Sequence, residues 1–142
     1  MKVISNVPGS EKCLDDYANE LVPNGRVDNG SCNSTNAQAW RFTNTSAIQN
    51  VNGGVLQAQP PDSTGTGLVV LQNSFNIAYP GNYWYIQYQN GGVQFVNFAV
   101  TSNGKQGCLD VYGDNPAPNT TVDLFECNGT PAQNWQIYLA AQ

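Results

Sequence analysis

The chain has 142 residues and a formal net charge of −5, and only 11% of its residues are charged. Its five lysines and arginines are scattered, so no basic cluster is available to neutralise phosphates, and neither nucleic acid nor a membrane is an expected partner. The sequence contains no histidine, which removes the commonest general base and metal ligand, and we expect neither a cofactor nor a metal site.

The apolar segments are short, rich in β-branched and aromatic residues, and separated by Gly, Asn, Pro and Asp. This pattern is typical of strands, and helical periodicity is missing almost throughout. In chain order, the predicted strands are Leu68–Leu71, Tyr83–Tyr88, Val93–Val100, Thr121–Phe125 and Asn134–Leu139. Turns are predicted at the Asn-Gly pairs 24–25, 29–30, 52–53, 90–91, 103–104 and 128–129, since both residue types tolerate positive φ. The sequence therefore predicts one all-β domain.

One segment occurs twice, at residues 9–42 and 104–137, and each copy ends in Gln-x-Trp, at Trp40 and Trp135. An offset of this length usually spans two units of roughly 40–50 residues, so a third copy is expected between them. Trp84 marks this middle copy. The three predicted units are the α repeat (residues 9–49), the β repeat (50–99) and the γ repeat (100–142). Because indole rings supply large apolar area, we expect the tryptophans of the two complete copies to lie in the core rather than to contact a ligand.

Four cysteines form two equally spaced pairs, Cys13/Cys32 and Cys108/Cys127, one in each complete copy. We expect two disulfides, each stabilising by about 3 kcal/mol, with metal ligation or free thiols as the alternatives. Paired disulfides favour an oxidising compartment, and therefore a secreted, extracellular protein. Residues 1–6 lack the apolar segment of a secretory signal, which favours a domain of a larger secreted protein.

The motifs of the γ repeat carry a family resemblance. Cys-Leu-Asp-x-Tyr from Cys108, Val-Asp-Leu-Phe-Glu-Cys-Asn-Gly-Thr from Val122 and Gln-Asn-Trp from Gln133 resemble the ricin B-type lectin repeat, also called carbohydrate-binding module family 13. The resemblance covers the whole chain as three repeats. It implies a β-trefoil with pseudo-threefold symmetry, in which a six-stranded barrel is capped by hairpins, and it implies carbohydrate binding.

In the γ repeat, the resemblance implies that Asp110 accepts hydrogen bonds from paired sugar hydroxyls and that Phe125 stacks on the C–H face of the sugar. Alternation along the strand puts Val122 and Leu124 on one face, and Asp123 and Phe125 on the other. The alternatives are a turn-capping role for the aspartate and a core position for the phenylalanine. The candidate carbohydrate-binding residues are Asp110, Tyr112, Asp123, Phe125, Asn128 and Gln133. Gln133 is expected to orient the aspartate or a neighbouring backbone group, while Asp123 and Ala132 stand where family members often carry glutamine and asparagine.

The other two repeats depart from this pattern. The possible second site, in the α repeat, comprises Asp15, Tyr17, Asp28, Asn33 and Gln38. There Gly30 occupies the position of Phe125, so the stacking platform is lost unless Tyr17 replaces it. In the β repeat Gln57 and Gln72 stand at the positions of the aspartate and the aromatic residue, and no site is expected.

These observations predict a non-catalytic carbohydrate-binding domain, either a lectin or the targeting module of a secreted glycoside hydrolase. The expected partner is a glycan or a plant or cell-wall polysaccharide, with tethering to a catalytic domain as one possibility. One alternative is a glycosidase with two carboxylates, but Asp15 and Asp16 are adjacent and would face opposite sides of a strand. The other alternative is a β-trefoil that binds proteins, such as a protease inhibitor, although those members generally lack Gln-x-Trp repeats.

Overall fold

The computed structural model describes residues 1–17, 24–59, 67–72, 75–89, 91–100 and 104–139. Within these ranges the backbone forms twelve strands joined by turns and short 3-10 segments. The strands are β1 Lys2–Ser5, β2 Lys12–Asp16, β3 Gly25–Ser31, β4 Trp40–Phe42, β5 Ile48–Asn50, β6 Val55–Ala58, β7 Gly67–Gln72, β8 Trp84–Gln89, β9 Gly92–Val100, β10 Gln106–Val111, β11 Thr120–Glu126 and β12 Trp135–Tyr138. None of the helical segments in the described ranges has the length and hydropathy needed to span a bilayer.

The strands pair antiparallel in a sheet that closes on itself. A continuous path of hydrogen-bonded neighbours runs from β10 through β9, β12, β1, β2 and β3 to β11. A further pairing between β10 and β11 joins the two ends of this path. Because closure leaves these strands without a free edge, the sheet forms a barrel, and one end of the β10–β11 pair carries the candidate site.

All five predicted strands are confirmed, each with ends within one residue of the prediction. The turn predicted at Asn29-Gly30 is wrong, because both residues lie inside β3, where they pair with Leu14 and Cys13 of β2. Cross-strand pairing therefore overrides the local preference of Asn-Gly for a turn. At the other pairs positive φ occurs at Asn24, Gly53, Gly91, Gly104 and Gly129, while residues 90 and 103 lie outside the described ranges.

The three tryptophans make the same contact in each unit. Trp40, Trp84 and Trp135 are buried, and each indole Nε1 donates a hydrogen bond to a leucine carbonyl. The acceptors are Leu14 at 2.9 Å, Leu56 at 3.2 Å and Leu109 at 3.1 Å. These bonds confirm the core position of the tryptophans and show the third unit around Trp84. Each leucine directly precedes the position of the candidate aspartate or its replacement, so the core fixes the strand from which that side chain projects.

Both predicted disulfides are present. Cys13 is bonded to Cys32 and Cys108 to Cys127, each with a Cα–Cα distance of 5.1 Å. All four cysteines are thereby accounted for, and neither metal ligation nor a free thiol applies. Each bridge connects the strand that carries an aspartate to the segment directly after its partner strand.

Candidate functional site

Two carboxyl groups face each other across the β10–β11 pair. Asp110 of β10 and Asp123 of β11 are direct cross-strand partners, with side chains that are 7% and 3% exposed. Val122 and Leu124 belong to the hydrophobic core, and Asp123 and Phe125 therefore project from the opposite, outer face of β11. The predicted alternation is confirmed, and Phe125 is not a core residue, since it is 37% exposed.

A pocket of about 290 Å³ lies over these two carboxyls. Five of the six residues predicted for this site line it: Asp110, Tyr112, Asp123, Phe125 and Asn128. The structure adds Gly113, Asp114, Thr130 and Ala132 to the lining. The buried carboxyls form a polar floor, while the rings of Tyr112 and Phe125 supply apolar surface at the exposed rim. The pocket thus combines a hydrogen-bonding floor with apolar walls.

The loop after β10 shapes one wall of the pocket. Tyr112–Asp114 form a short 3-10 segment in which Gly113 and Asp114 adopt φ of 65° and 54°. A left-handed conformation is favourable for glycine and tolerated by aspartate, so the sequence Tyr-Gly-Asp suits this reversal of the chain. The reversal brings both Tyr112 and Asp114 to the pocket. Asp114 was not predicted, although the Gly-Asp pair next to Tyr112 is the signal that could have indicated it.

Gln133 supports the pocket from behind. Its Oε1 accepts a hydrogen bond from the backbone N–H of Asn128 at 2.8 Å, and its Nε2 donates to the carbonyl of Glu126 at 2.9 Å. The Gln133 side chain is also hydrogen-bonded to the Asp110 carboxylate. Gln133 is fully buried and does not line the pocket. Its contacts therefore agree with the predicted orienting role, and they do not agree with direct contact between Gln133 and a ligand.

Asn128 is held in place by its own turn. Its Oδ1 accepts hydrogen bonds from the backbone N–H and the hydroxyl of Thr130, at 3.1 and 2.7 Å. Such a turn fixes the rotamer of the asparagine. With Oδ1 occupied in this way, the Nδ2 amide is the group of Asn128 that can donate a hydrogen bond to a molecule in the pocket.

The two carboxyls titrate as a pair. Burial, which is the largest cause, together with the hydrogen bond to Asp110 and the charge of Asp110 raises the pKa of Asp123 to about 9. Burial also raises the pKa of Asp110, against the hydrogen bonds from Asp123 and Gln133, which lower it. At neutral pH the pair therefore retains one proton on Asp123, and Asp110 is the carboxylate. The pocket floor carries one negative charge rather than two.

No protein-family model matches this sequence, and no curated protein sequence matches it. Solved structures do match, along nearly the whole chain. The designed threefold-symmetric protein ThreeFoil is 18% identical with a TM-score of 0.76, covering 95% of this chain and 94% of its own. The C-terminal half of the earthworm R-type lectin, solved with GalNAc, is 15% identical with a TM-score of 0.71, covering 94% and 93%. The β-trefoil lectin of the Vibrio vulnificus hemolysin/cytolysin, solved with N-acetyl-D-lactosamine, is 18% identical with a TM-score of 0.69, covering 97% and 96%.

The fold is a β-trefoil. The fold implied by the resemblance to ricin B-type lectins is thereby confirmed, and the match to ThreeFoil agrees with three repeated units.

The α repeat of the trefoil copies the polar frame of the pocket. Asp15 and Asp28 are direct cross-strand partners, as Asp110 and Asp123 are in the γ repeat. Burial, which is the largest cause, and the neighbouring Asp15 raise the pKa of Asp28 to about 7, against the charge of Arg26, which lowers it. The pKa of Asp15 is raised by burial as well.

The α repeat also has the same amide hydrogen bonds as the γ repeat. Gln38 accepts from the N–H of Asn33 at 2.7 Å and donates to the carbonyl of Ser31 at 2.8 Å. Asn33 in turn accepts from the N–H and hydroxyl of Thr35, at 2.9 and 2.6 Å. The contacts of Asn33 and Gln38 are therefore the same as those of Asn128 and Gln133.

The α repeat lacks the stacking platform. Gly30 pairs with Cys13, as Phe125 pairs with Cys108, so this glycine occupies the position of the aromatic ring. Tyr17 does not fill the gap with a fully open ring, because the Arg26 guanidinium covers one of its faces at 4.5 Å from the ring centroid. The residues predicted for a second site thus come together as a hydrogen-bonding edge with a tyrosine ring that is covered on one face.

In the β repeat of the trefoil, amides replace both functional groups. The Gln57 Oε1 accepts a hydrogen bond from Gln59 at 3.3 Å, and the Gln72 side chain donates to Asn24 Oδ1 at 2.7 Å. Both glutamines are thus engaged with neighbouring polar side chains. Neither supplies the carboxylate or the ring that the pocket of the γ repeat combines.

Proposed function

We propose that this chain is a non-catalytic carbohydrate-binding domain, with its principal sugar site in the pocket over Asp110 and Asp123. The observation that carries the proposal is the half-exposed Phe125 ring beside a buried carboxyl pair with one negative charge. A pyranose offers hydroxyl groups at its edge and a patch of C–H bonds on one face. A carboxylate and an aromatic ring in one pocket match those two surfaces.

Each residue has a separate role in this proposal. The Asp110 carboxylate accepts hydrogen bonds from two sugar hydroxyls, and Phe125 stacks on the C–H face. Asn128 donates from its Nδ2 amide to a further hydroxyl, and Tyr112 contacts the sugar from the opposite rim. Protonated Asp123 donates a hydrogen bond to Asp110 and keeps that carboxylate in place. The ligands named for the earthworm and Vibrio lectins, GalNAc and N-acetyl-D-lactosamine, support a pyranose ligand.

The spacing of the carboxyls supports binding rather than hydrolysis. The two carboxyl groups of a glycosidase are about 5–9.5 Å apart and flank the scissile bond. Asp110 and Asp123 are hydrogen-bonded to each other, so no sugar fits between them. We therefore expect no turnover of xylan, galactan or aryl glycosides, and hydrolysis that Asp110→Asn abolishes would contradict this assignment.

A single exposed site of this kind gives weak binding. A millimolar Kd corresponds to only about 4 kcal/mol, so useful avidity requires linked sites. The α repeat lacks a platform and the β repeat lacks the carboxylate, which leaves the γ repeat as the main site of the three. The proposal therefore includes attachment to a secreted glycoside hydrolase, or self-association, as the source of avidity. The two disulfides agree with a secreted protein.

A glycan array tests the proposal with three proteins: the wild type, Asp110→Ala and the matched control Asp15→Ala. The control removes the corresponding aspartate from the α repeat, which has the same carboxyl and amide frame. We expect the wild type and Asp15→Ala to bind the same neutral glycans and Asp110→Ala to lose them. Unchanged binding by Asp110→Ala, with loss in Asp15→Ala, would move the site to the α repeat and contradict the assignment.

A further inference from the structure

The outer face that carries Phe125 continues across three more strands. Phe125 of β11 pairs with Cys108 of β10. Cys108 also pairs with Val96 of β9, and Val96 pairs with Tyr85 of β8, so the four residues form one row across the sheet. Directly paired residues of a sheet project from the same face. Val96 is buried but lies outside the main core cluster, as expected for a residue covered on the outer face. The row thus leads from the pocket to Tyr85.

Tyr85 belongs to a group of four aromatic side chains at the far end of this row, here called the aromatic cluster: Phe75, Tyr83, Tyr85 and Phe98. The rings contact one another in sequence, with centroid distances of 5.1, 5.8 and 5.6 Å. Beside them lies a groove of about 330 Å³ lined by Ile77, Ala78, Pro80, Tyr83 and Phe98. Phe98 is 54% exposed and Ile77 80% exposed, so the cluster presents apolar surface to solvent.

Hydrogen bonds fix the orientation of the tyrosine rings. The Tyr83 hydroxyl donates to the carbonyl of Ile77 at 2.7 Å, and Gln106 Nε2 donates to the Tyr85 hydroxyl at 2.5 Å. Gln106 lies in β10 on the same face as Cys108, between the aromatic cluster and the pocket. Rings that are already ordered lose little conformational entropy when a ligand stacks on them.

The trefoil itself does not require aromatic residues at these positions. Trp40 pairs with Asn50, and Trp84 pairs with Asn97, so the hairpin that begins at Trp40 corresponds to the hairpin that begins at Trp84. By this correspondence Tyr83, Tyr85 and Phe98 match Ala39, Arg41 and Val51. The Trp40 hairpin forms the same strand pairing and the same tryptophan contact without these rings. The aromatic cluster is therefore an addition to the fold.

The surface between the pocket and the aromatic cluster has no excess of positive charge that would attract an anionic polymer. Lys105 and Glu126, which adjoin Gln106 and Phe125 in the sequence, form an ion pair of 3.1 Å with each other, and the pocket itself holds the Asp110 carboxylate. The remaining groups along the row are the disulfide and the amide of Gln106. A neutral glycan suits this surface better than a polymer of uronic acids. Three strand spacings separate Phe125 from Tyr85, which is about 14 Å and exceeds the reach of one pyranose ring.

We propose that the aromatic cluster is a second stacking subsite, at which a neutral oligosaccharide or polysaccharide held in the γ pocket contacts Phe98 with a further sugar unit. This inference rests on the proposed function, because the pocket anchors the chain. It identifies the ligand class as a glycan chain rather than a monosaccharide. The disulfide and Gln106 lie along the path of the chain between the two subsites.

Isothermal titration calorimetry tests this with galactose and xylose as monosaccharides, and β-1,3-galactan and xylan as polymers. We expect wild-type protein to bind one polymer more tightly than its monosaccharide. Phe98→Ala should weaken polymer binding about fivefold, the equivalent of one stacking contact, and leave monosaccharide binding unchanged. Val51→Ala, at the corresponding position of the Trp40 hairpin, is the matched control and should bind as the wild type does.

The outcomes separate the two proposals. Full polymer binding by Phe98→Ala, with loss in Asp110→Ala, would overturn the second subsite and leave the proposed function in place. Loss of polymer binding in Phe98→Ala, with full polymer binding by Asp110→Ala, would show that the pocket is not the anchor. It would also overturn the proposal that one glycan chain contacts both subsites. No binding of the wild type to either polymer would overturn both. Thermal melts verify that each variant is folded. Ile77→Asn changes a highly exposed residue of the same groove, so it is a second variant of this surface with little effect on the core.

Discussion

Replacement of Asp123 by asparagine is expected to flatten the pH dependence of stability. In the folded protein the pKa of Asp123 is raised to about 9, while an aspartate in the unfolded chain titrates near 3.8. Between these values the folded carboxyl pair holds a proton that the unfolded chain has released. The free energy of unfolding is therefore highest at low pH and falls as the pH rises toward 9. Each retained proton contributes a slope of up to about 1.4 kcal/mol per pH unit.

The two carboxyl pairs give two pH windows. The pair in the α repeat keeps its proton only up to about pH 7, the raised pKa of Asp28. Between pH 5 and 6 both pairs hold a proton, so stability should fall by up to about 2.7 kcal/mol per pH unit. Between pH 7.5 and 8.5 only the pair with Asp123 holds one, and the slope should be about half as steep. An asparagine amide donates the same hydrogen bond to Asp110 without titrating.

Urea unfolding with intact disulfides, at pH 5, 6, 7.5 and 8.5, measures these slopes. In Asp123→Asn the fall of the unfolding free energy with pH should be less steep than in the wild type by up to about 1.4 kcal/mol per pH unit in both windows. Asp28→Asn is the matched comparison, and its slope should be reduced only between pH 5 and 6. Wild-type stability that is constant or increases from pH 5 to 8.5 would refute the shared-proton account, and so would an Asp123→Asn slope equal to that of the wild type.

Three further predictions concern binding and stability. Phe125→Ala should abolish binding on the glycan array while the thermal melting temperature changes little, because the ring lies outside the core; retained binding would contradict its stacking role. Trp135→Ala should cost about 3–5 kcal/mol in urea unfolding, because it leaves a cavity in the core. A smaller loss, below about 1 kcal/mol, would contradict its core role. Replacing both Cys108 and Cys127 by serine should lower the free energy of unfolding by about 3 kcal/mol. Equal unfolding curves for this variant and the wild type would contradict that stabilisation.

The sequence predicted the fold because the repeated residues make repeated contacts. Gln-x-Trp and Cys-Leu-Asp recur at constant spacing, and in the structure each tryptophan donates to the leucine of that motif. The middle unit was placed by Trp84 and by the match of residues 54–57 and 69–71 to the γ repeat, and the bond of Trp84 to Leu56 completes the set. A spacing that positions a buried donor and its acceptor is conserved between copies of one chain, so it is visible without a structure.

The incorrect and missing predictions depend on contacts that are distant in sequence. Asn29-Gly30 is locally a turn sequence, yet pairing with β2 extends it. The aromatic cluster depends on the pairing of β8, β9 and β10, including a register shift between Gln106 and Gly107 that no local pattern indicates. The shared proton of Asp110 and Asp123 likewise depends on their direct pairing and on the depth at which they are buried, neither of which follows from spacing alone.

The most direct test of the sugar site is a crystal structure of this protein with the strongest-binding glycan of the array. The account predicts a pyranose stacked on Phe125, with two of its hydroxyls hydrogen-bonded to the Asp110 carboxylate and Asp123 beneath them, out of contact with the sugar. A sugar bound elsewhere on the trefoil, with the pocket of the γ repeat empty, would contradict it.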